Sequence, residues 1–92
     1  MTLTDAALLD YARERIRAGL PPTAVEAGTH FGVTPWAIGK RLRKLAQAGL
    51  VELIPNVPRG IKLTARGARI RSDEVGLAVD VAAVMAKHGR AR

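Results

Sequence analysis

The sequence contains no cysteine, and aromatic residues make up only 3% of its 92 residues. Without thiols there is no disulfide framework, no thiolate metal site and no cysteine nucleophile, a usage that fits a reducing cytoplasm. Tyr11, Phe31 and Trp36 are the only aromatics, while apolar residues are 48% of the chain. The core must therefore be built from Leu, Ile, Val and Ala, which favours packed helices over a wide sheet. Long hydrophobic runs are also missing. The longest, Val75 to Met85, is interrupted by Asp80 and is too short to span a bilayer, and the N-terminus has no basic-then-apolar signal pattern. A soluble, cytoplasmic protein is expected. Ser72 is the single serine and reads as a helix cap; the acids are scattered or lie at helix starts, and no phosphate-binding glycine loop is present. Nothing here supports catalysis. Two distant histidines, His30 and His88, without cysteine argue for structural or surface roles and against a metal site or any other cofactor.

What is abundant is positive charge, and it is concentrated. The formal net charge is +7, and the stretch from Lys40 to Arg71 holds nine basic residues against one acid, Glu52. The remainder holds six bases and seven acids. A basic surface gathered into one stretch suits phosphates, although a merely solvated charged face would carry the same count. Arg13, Arg15 and Arg17 sit among Asp10 and Glu14 and read as solvated helix surface.

A chain this short can enclose one modest core. Leu3 to Ala18 predicts a first helix, with Thr2 or Thr4 as N-cap, Leu8, Leu9, Ala12 and Ile16 on one face, and Gly19 as its stop. Leu20, Pro21 and Pro22 form an extended link. Thr23 starts a second helix with Glu26 completing a capping box, and Gly32 closes it about two turns later. Thr34 caps a third helix that begins at Pro35, where the missing N–H costs nothing, and ends by Gly49. Ile38, Leu42, Leu45 and Ala46 share its inner face, leaving Trp36, Lys40, Arg41, Arg43, Lys44 and Gln47 to point elsewhere. Leu50 to Ile54 and Ile61 to Thr64 then read as a hairpin around a basic Pro/Gly/Asn turn. A short helical segment follows up to Arg71, and Ser72 caps a last helix with Asp73 and Glu74 in its first turn.

The fold class is accordingly mainly α with a small β-hairpin: a winged helix-turn-helix over residues 1–71, followed by a C-terminal helix and basic tail over 72–92. In such an arrangement two scaffold helices and a tight turn at Gly32 present the third helix to the major groove, and the hairpin lies alongside as a wing. Residues expected at double-stranded DNA are Thr23, Thr34, Pro35, Trp36, Gly39, Lys40, Arg41, Arg43, Lys44, Arg59 and Lys62. Trp36 can touch a thymine methyl or the sugar-phosphate backbone, or pack on the wing. Gly39 costs a helix interior about 1 kcal/mol relative to Ala; close approach to DNA or to Gly28 would account for it. Arg59 and Lys62 are placed at phosphates or the minor groove.

The run from Gly19 to Thr64 also resembles the N-terminal DNA-binding domain of LexA-type repressors. The resemblance lies in Pro-Pro-Thr before the second helix, Thr-Pro at the entry to the third, Ala-Gly-Leu-Val at its exit, and Pro-Arg-Gly-Ile in a wing ending in Leu-Thr. It implies a winged helix and a transcriptional repressor of bacterial or phage type. LexA-type proteins continue into a self-cleaving protease domain, whereas one further helix follows here, so autoproteolysis is not implied. The turn before Thr34 is one residue shorter than the family's. Where the family carries acidic and amide residues facing the groove this chain has Trp36, Gly39 and Lys40, so it should not read the SOS operator. Thr64-Ala65-Arg66-Gly67 is similar to the wing exit of MarR- and PadR-type regulators, in which a later helix makes a dimer.

The apolar residues of the last helix spread too widely for one packing surface. The stripe Leu77, Val81, Val84 and Met85 can cover the helices of its own domain and leave other valines for a partner, or can itself be the interface; the four are assigned here to a homodimer interface. The main reading is thus a sequence-specific DNA-binding regulator, nucleoid-associated and dimeric. The alternatives are a protein-interaction module whose basic face binds an acidic protein partner, and an architectural factor controlling recombination or excision.

Overall fold

The computed structural model describes residues 2–89. Five helices and one hairpin follow the predicted order: α1 Asp5–Arg17, α2 Ala24–Phe31, α3 Pro35–Gln47, β1 Val51–Leu53, β2 Ile61–Leu63, α4 Ala65–Arg69 and α5 Ser72–Gly89. Cap chemistry explains most of the boundaries. Thr4, not Thr2, caps α1, its hydroxyl accepting from the Ala7 N–H at 3.0 Å, so the helix starts two residues later than its apolar pattern suggests. Thr23 and Glu26 exchange hydrogen bonds of 3.0 and 3.1 Å in the predicted capping box. Thr34 accepts from the Ala37 N–H at 3.1 Å, with Pro35 in the first turn. The expected basic tail beyond Gly89 and the side chain of His88 lie outside the described residues.

The turn between α2 and α3 rests on two glycines. Gly32 ends α2 with φ 71°, a left-handed conformation that costs glycine nothing. Gly28, one turn earlier, is buried where a Cβ would stand 2.6 Å from the Val33 carbonyl oxygen, so only glycine lets the turn fold back this tightly. Gly39 is not the counterpart of Gly28: a Cβ there would meet no protein atom within 4 Å.

One core serves every element but the short α4. Leu8 and Leu9 of α1, Ala27 and Phe31 of α2, Ile38, Leu42 and Leu45 of α3, Leu50 and Val51, Ile61 of β2, and Val75, Ala78 and Val79 of α5 are all buried together. The last helix is therefore an integral wall of the domain rather than an appendage. Its inner stripe is Val75, Ala78 and Val79, while Leu77, Val81, Val84 and Met85 face outward. Their alternative use as a cover for the domain's own helices is thereby corrected. Two further expectations change. The Ser72 hydroxyl donates to the Asp10 carboxylate at 2.9 Å instead of capping α5. Arg13 is no solvated surface residue: it is half-buried and donates to the Ile70 carbonyl at 2.6 Å, tying α1 to the segment that enters α5.

The strands pair antiparallel, with Val51 opposite Leu63, Glu52 opposite Lys62 and Leu53 opposite Ile61. Period-two alternation turns Val51 and Ile61 inward and Glu52 and Lys62 to solvent. Beyond β2, the segment leading into α4 closes the exposed end of α3: Thr64 Oγ1 donates to the Gly49 carbonyl at 2.6 Å and Arg66 to that of Ala48 at 3.1 Å. Gly67 sits directly on the Leu50 carbonyl, which a Cβ would overlap.

The wing is anchored by one ion pair. Arg59 donates to both Glu26 carboxylate oxygens, at 2.6 and 2.8 Å, and to the Pro21 carbonyl at 2.8 Å. The two Arg59 bonds to its carboxylate, with the Thr23 N–H, lower the Glu26 pKa from its ordinary value near 4.5 to about 2.

Two predictions follow from this packing. Gly67→Ala should destabilise the domain by about 2 to 3 kcal/mol in urea unfolding, because the added methyl meets backbone that cannot yield cheaply. For Glu26 the folded pKa lies below the unfolded one, so its contribution is fully present above about pH 4.5 and is lost as pH falls towards 2. The difference in urea midpoint between the wild type and Glu26→Gln should be largest near neutral pH and vanish near pH 2; a difference independent of pH would exclude the pairing.

Candidate nucleic-acid interface

Helix α3 is divided lengthwise. Ile38, Leu42 and Leu45 are buried, and on the opposite side Trp36, Lys40, Arg43 and Gln47 follow one another at spacings of four, three and four, with Lys44 beside them; all five are exposed. No acid occurs in the helix. Trp36 is 69% exposed and does not pack on the wing, which settles one of its two sequence-level readings. Its neighbour is Lys40, whose Nζ lies 4.6 Å from the ring centroid, a cation–π contact that orients the ammonium along the same face. Gly39 borders this face with nothing over it, leaving room for another molecule's backbone to come close.

Two expected contact residues stand elsewhere. Arg41, placed by the sequence on the exposed side, turns towards α1 and pairs with Asp5 at 3.1 Å. Arg59 is not projected from the wing tip but bound to Glu26 and Pro21 as described. Both are half-buried by these contacts. The reason is the guanidinium fork, which satisfies a carboxylate with two parallel bonds and so competes well with water for it. Lys62 remains exposed on β2. Thr23 and Thr34 hold the N-termini of α2 and α3, their side chains occupied as caps, and Pro35 is exposed at the start of α3.

The site therefore brings together Trp36, Gly39, Lys40, Arg43 and Lys44. Gln47, absent from the sequence-level assignment, belongs to the same stripe; helical spacing from Trp36 alone would have found it. The Glu26–Arg59 link had no sequence signal, since its partners are 33 residues apart.

On α5, Leu77, Val81, Val84 and Met85 are 69%, 52%, 54% and 68% exposed. Leu77, Val81 and Met85 line a groove between α5, α4 and the end of α3, with Gln47, Arg66, Arg69 and Glu74 on its walls. Among the described residues no cluster of three or more metal-ligating side chains occurs, and no helix is long and apolar enough to cross a membrane.

Comparison with known proteins agrees with this geometry. The family model described as the LexA DNA binding domain matches residues 1–60. The chain is 44% identical to the LexA repressor of Ralstonia pickettii over 62 residues, covering 65% of this chain and 29% of that protein. It is 38% identical to the LexA repressor of Methylococcus capsulatus over 68 residues, covering 72% and 34%, and 40% identical to that of Cupriavidus pinatubonensis over 75 residues, covering 78% and 34%. The matches thus span about a third of the length of these curated relatives. An acid-free helix with one buried and one basic face, a turn held by Gly28 and Gly32, and a family match over the whole of that arrangement lead to one assignment: the chain belongs to the LexA DNA-binding domain family.

Proposed function

We propose that this protein is a sequence-specific double-stranded DNA-binding transcriptional repressor that acts by occupying its site, without catalysis, in the cytoplasm at the nucleoid. The observation that carries the reading is the outer face of α3, an uninterrupted stripe of Trp36, Lys40, Arg43 and Gln47 with Lys44 alongside, held out by a fully buried inner face. Relatives sharing this domain are named LexA repressors. In this reading Lys40 meets a guanine edge and Trp36 a thymine methyl. Arg43, Lys44 and Lys62, with the helix N-termini beginning after Thr23 and Thr34 and at Pro35, supply phosphate contacts. Arg41 and Arg59 contribute through their protein partners. Because Gly39 and Lys40 replace the acidic and amide residues of the LexA pattern, the preferred sequence differs from the SOS operator.

The outward stripe of α5 gives the protein its second copy. Leu77, Val81, Val84 and Met85 lie at spacings of four, three and one, and large exposed apolar residues gathered in this way are best buried against a like surface. An antiparallel pairing of two α5 helices is also complementary in charge, since it sets Asp73 and Glu74 of one copy towards Lys87 of the other. Its two-fold axis would place two α3 helices on an inverted repeat.

Duplex binding should fall steeply with salt, log K against log salt having a slope of about −3 to −4 per domain for roughly four phosphate contacts. Lys40→Ala should lose about 1 to 3 kcal/mol and relax the preference at one base pair, whereas Lys62→Ala should weaken all sequences alike. A flat salt response, or no duplex binding at low salt, would transfer the basic face to an acidic protein partner. Sedimentation at micromolar concentration should show a dimer that Val81→Glu converts into a soluble monomer; a wild type that is monomeric both free and on DNA would refute the interface.

A further inference from the structure

The cleft between the start of α2 and the wing holds about 400 Å³ and is lined by Thr23, Leu42, Leu53, Val57, Arg59 and Ile61. Arg59 closes it. Its side chain makes three hydrogen bonds, two to the Glu26 carboxylate and one to the Pro21 carbonyl, so both ends of the reach are fixed: Pro21 in the link before α2 and Glu26 in that helix's first turn. The backbone of Arg59 is held at φ 58°, a left-handed conformation that an arginine adopts only when its surroundings impose it. Gly60 follows immediately, its N–H bonded to the Val57 carbonyl at 3.0 Å and its carbonyl accepting from the Ile54 N–H at 2.8 Å. The same residue is thus tied on its side chain to α2 and on its flanking backbone to the neck of the wing.

We infer that Arg59 is a positioning residue that latches the wing to the N-terminal turn of α2, and not one of the cations that contact DNA phosphate. The inference rests on the DNA-binding reading above and deepens it. Glu26 already serves the Thr23 N–H through Oε1, and Oε1 and Oε2 each accept from Arg59, so the two capped functions share one carboxylate. Drawing Arg59 to a phosphate would leave that carboxylate unpaired beside a polyanion, which opposes the exchange. The latch instead sets the distance between the N-terminus of α2 and Lys62 on β2, the two points outside α3 to which the DNA-binding reading assigns phosphate contacts. Without it the wing would still form its two-stranded ladder but would have to be ordered on binding.

Charge-conserving and charge-removing variants separate the two roles. If Arg59 positions, Arg59→Lys behaves like Arg59→Ala, because an ammonium keeps the charge but cannot form the bidentate pair; both weaken duplex binding about 5- to 20-fold without changing the salt slope. Glu26→Gln then weakens binding too, and the double variant Glu26→Gln/Arg59→Ala is no worse than the weaker single. Hydrogen exchange in the free protein should show the Gly60 and Ile54 amides losing protection in all three single variants, while those buried in α3 keep theirs. The inference is overturned if Arg59→Lys binds like the wild type, if Arg59→Ala makes the salt slope shallower by about one, or if Glu26→Gln binds more tightly with a steeper slope, since a freed Arg59 would then be contacting phosphate. Failure of the wild type to bind any duplex would sink the DNA-binding reading alone. The amide protection of the free protein would still show whether the latch holds.

Discussion

The buried face of α3 is the constraint on which everything else depends. Ile38, Leu42 and Leu45 are sealed by α1, the Leu50–Val51 segment and α5, and that contact fixes the rotation of the helix about its own axis. Rotation decides function here, because residues three and four apart share a face while those between them do not. With the inner three sealed, Trp36, Lys40, Arg43 and Gln47 have nowhere to go but outward. The tight fold of Gly28 onto the 33–35 backbone then settles where the start of α3 stands relative to α2. A shift of one residue in the core register, in either direction, would bury an arginine and expose an isoleucine, so stability and presentation are enforced by the same contacts.

The local code of this fold was legible in the sequence because it consists of short-range signals. A threonine cap with glutamate three residues on, a proline in the first turn and a glycine at the close each involve residues within four positions of one another, and each of these boundaries stands in the structure. The hairpin was legible for the same reason. What was not legible is long-range pairing. Arg41 with Asp5, Arg59 with Glu26, Arg13 with Ile70 and Ser72 with Asp10 link positions 33 to 62 residues apart, and no periodicity announces them. The mistaken inner stripe of α5 has a related cause. Valines, alanines and one leucine surround that helix so evenly that its pattern alone does not say which side meets Leu8 and Leu9; only the docking of the finished helix does.

These pairings also change what the net charge of +7 means. The basic stretch from Lys40 to Arg71 looks uniform as a count, yet its members divide by chemistry. Arg41 and Arg59 are spent on carboxylates and Arg66 on a helix-end carbonyl, whereas Lys40, Lys44 and Lys62 are all exposed. A guanidinium is weakly hydrated and presents a planar fork, so it gains by settling on fixed acceptors at the protein surface; an ammonium is strongly hydrated and gains less by leaving water. Arg43 stays outward with the lysines, directly across α3 from the buried residues, and among the described residues it is in none of the ion pairs. On α3 and the wing the charge available to a polyanion is therefore smaller than the sequence count, one stripe of α3 and one point on the wing, while Arg69 and Arg71 stay exposed at and after the end of α4. Such a surface attracts any duplex through its lysines, but it can discriminate among sequences only where Trp36 and Lys40 come within reach of base edges, because that is where an oriented cation and an apolar ring stand side by side on a rigid helix.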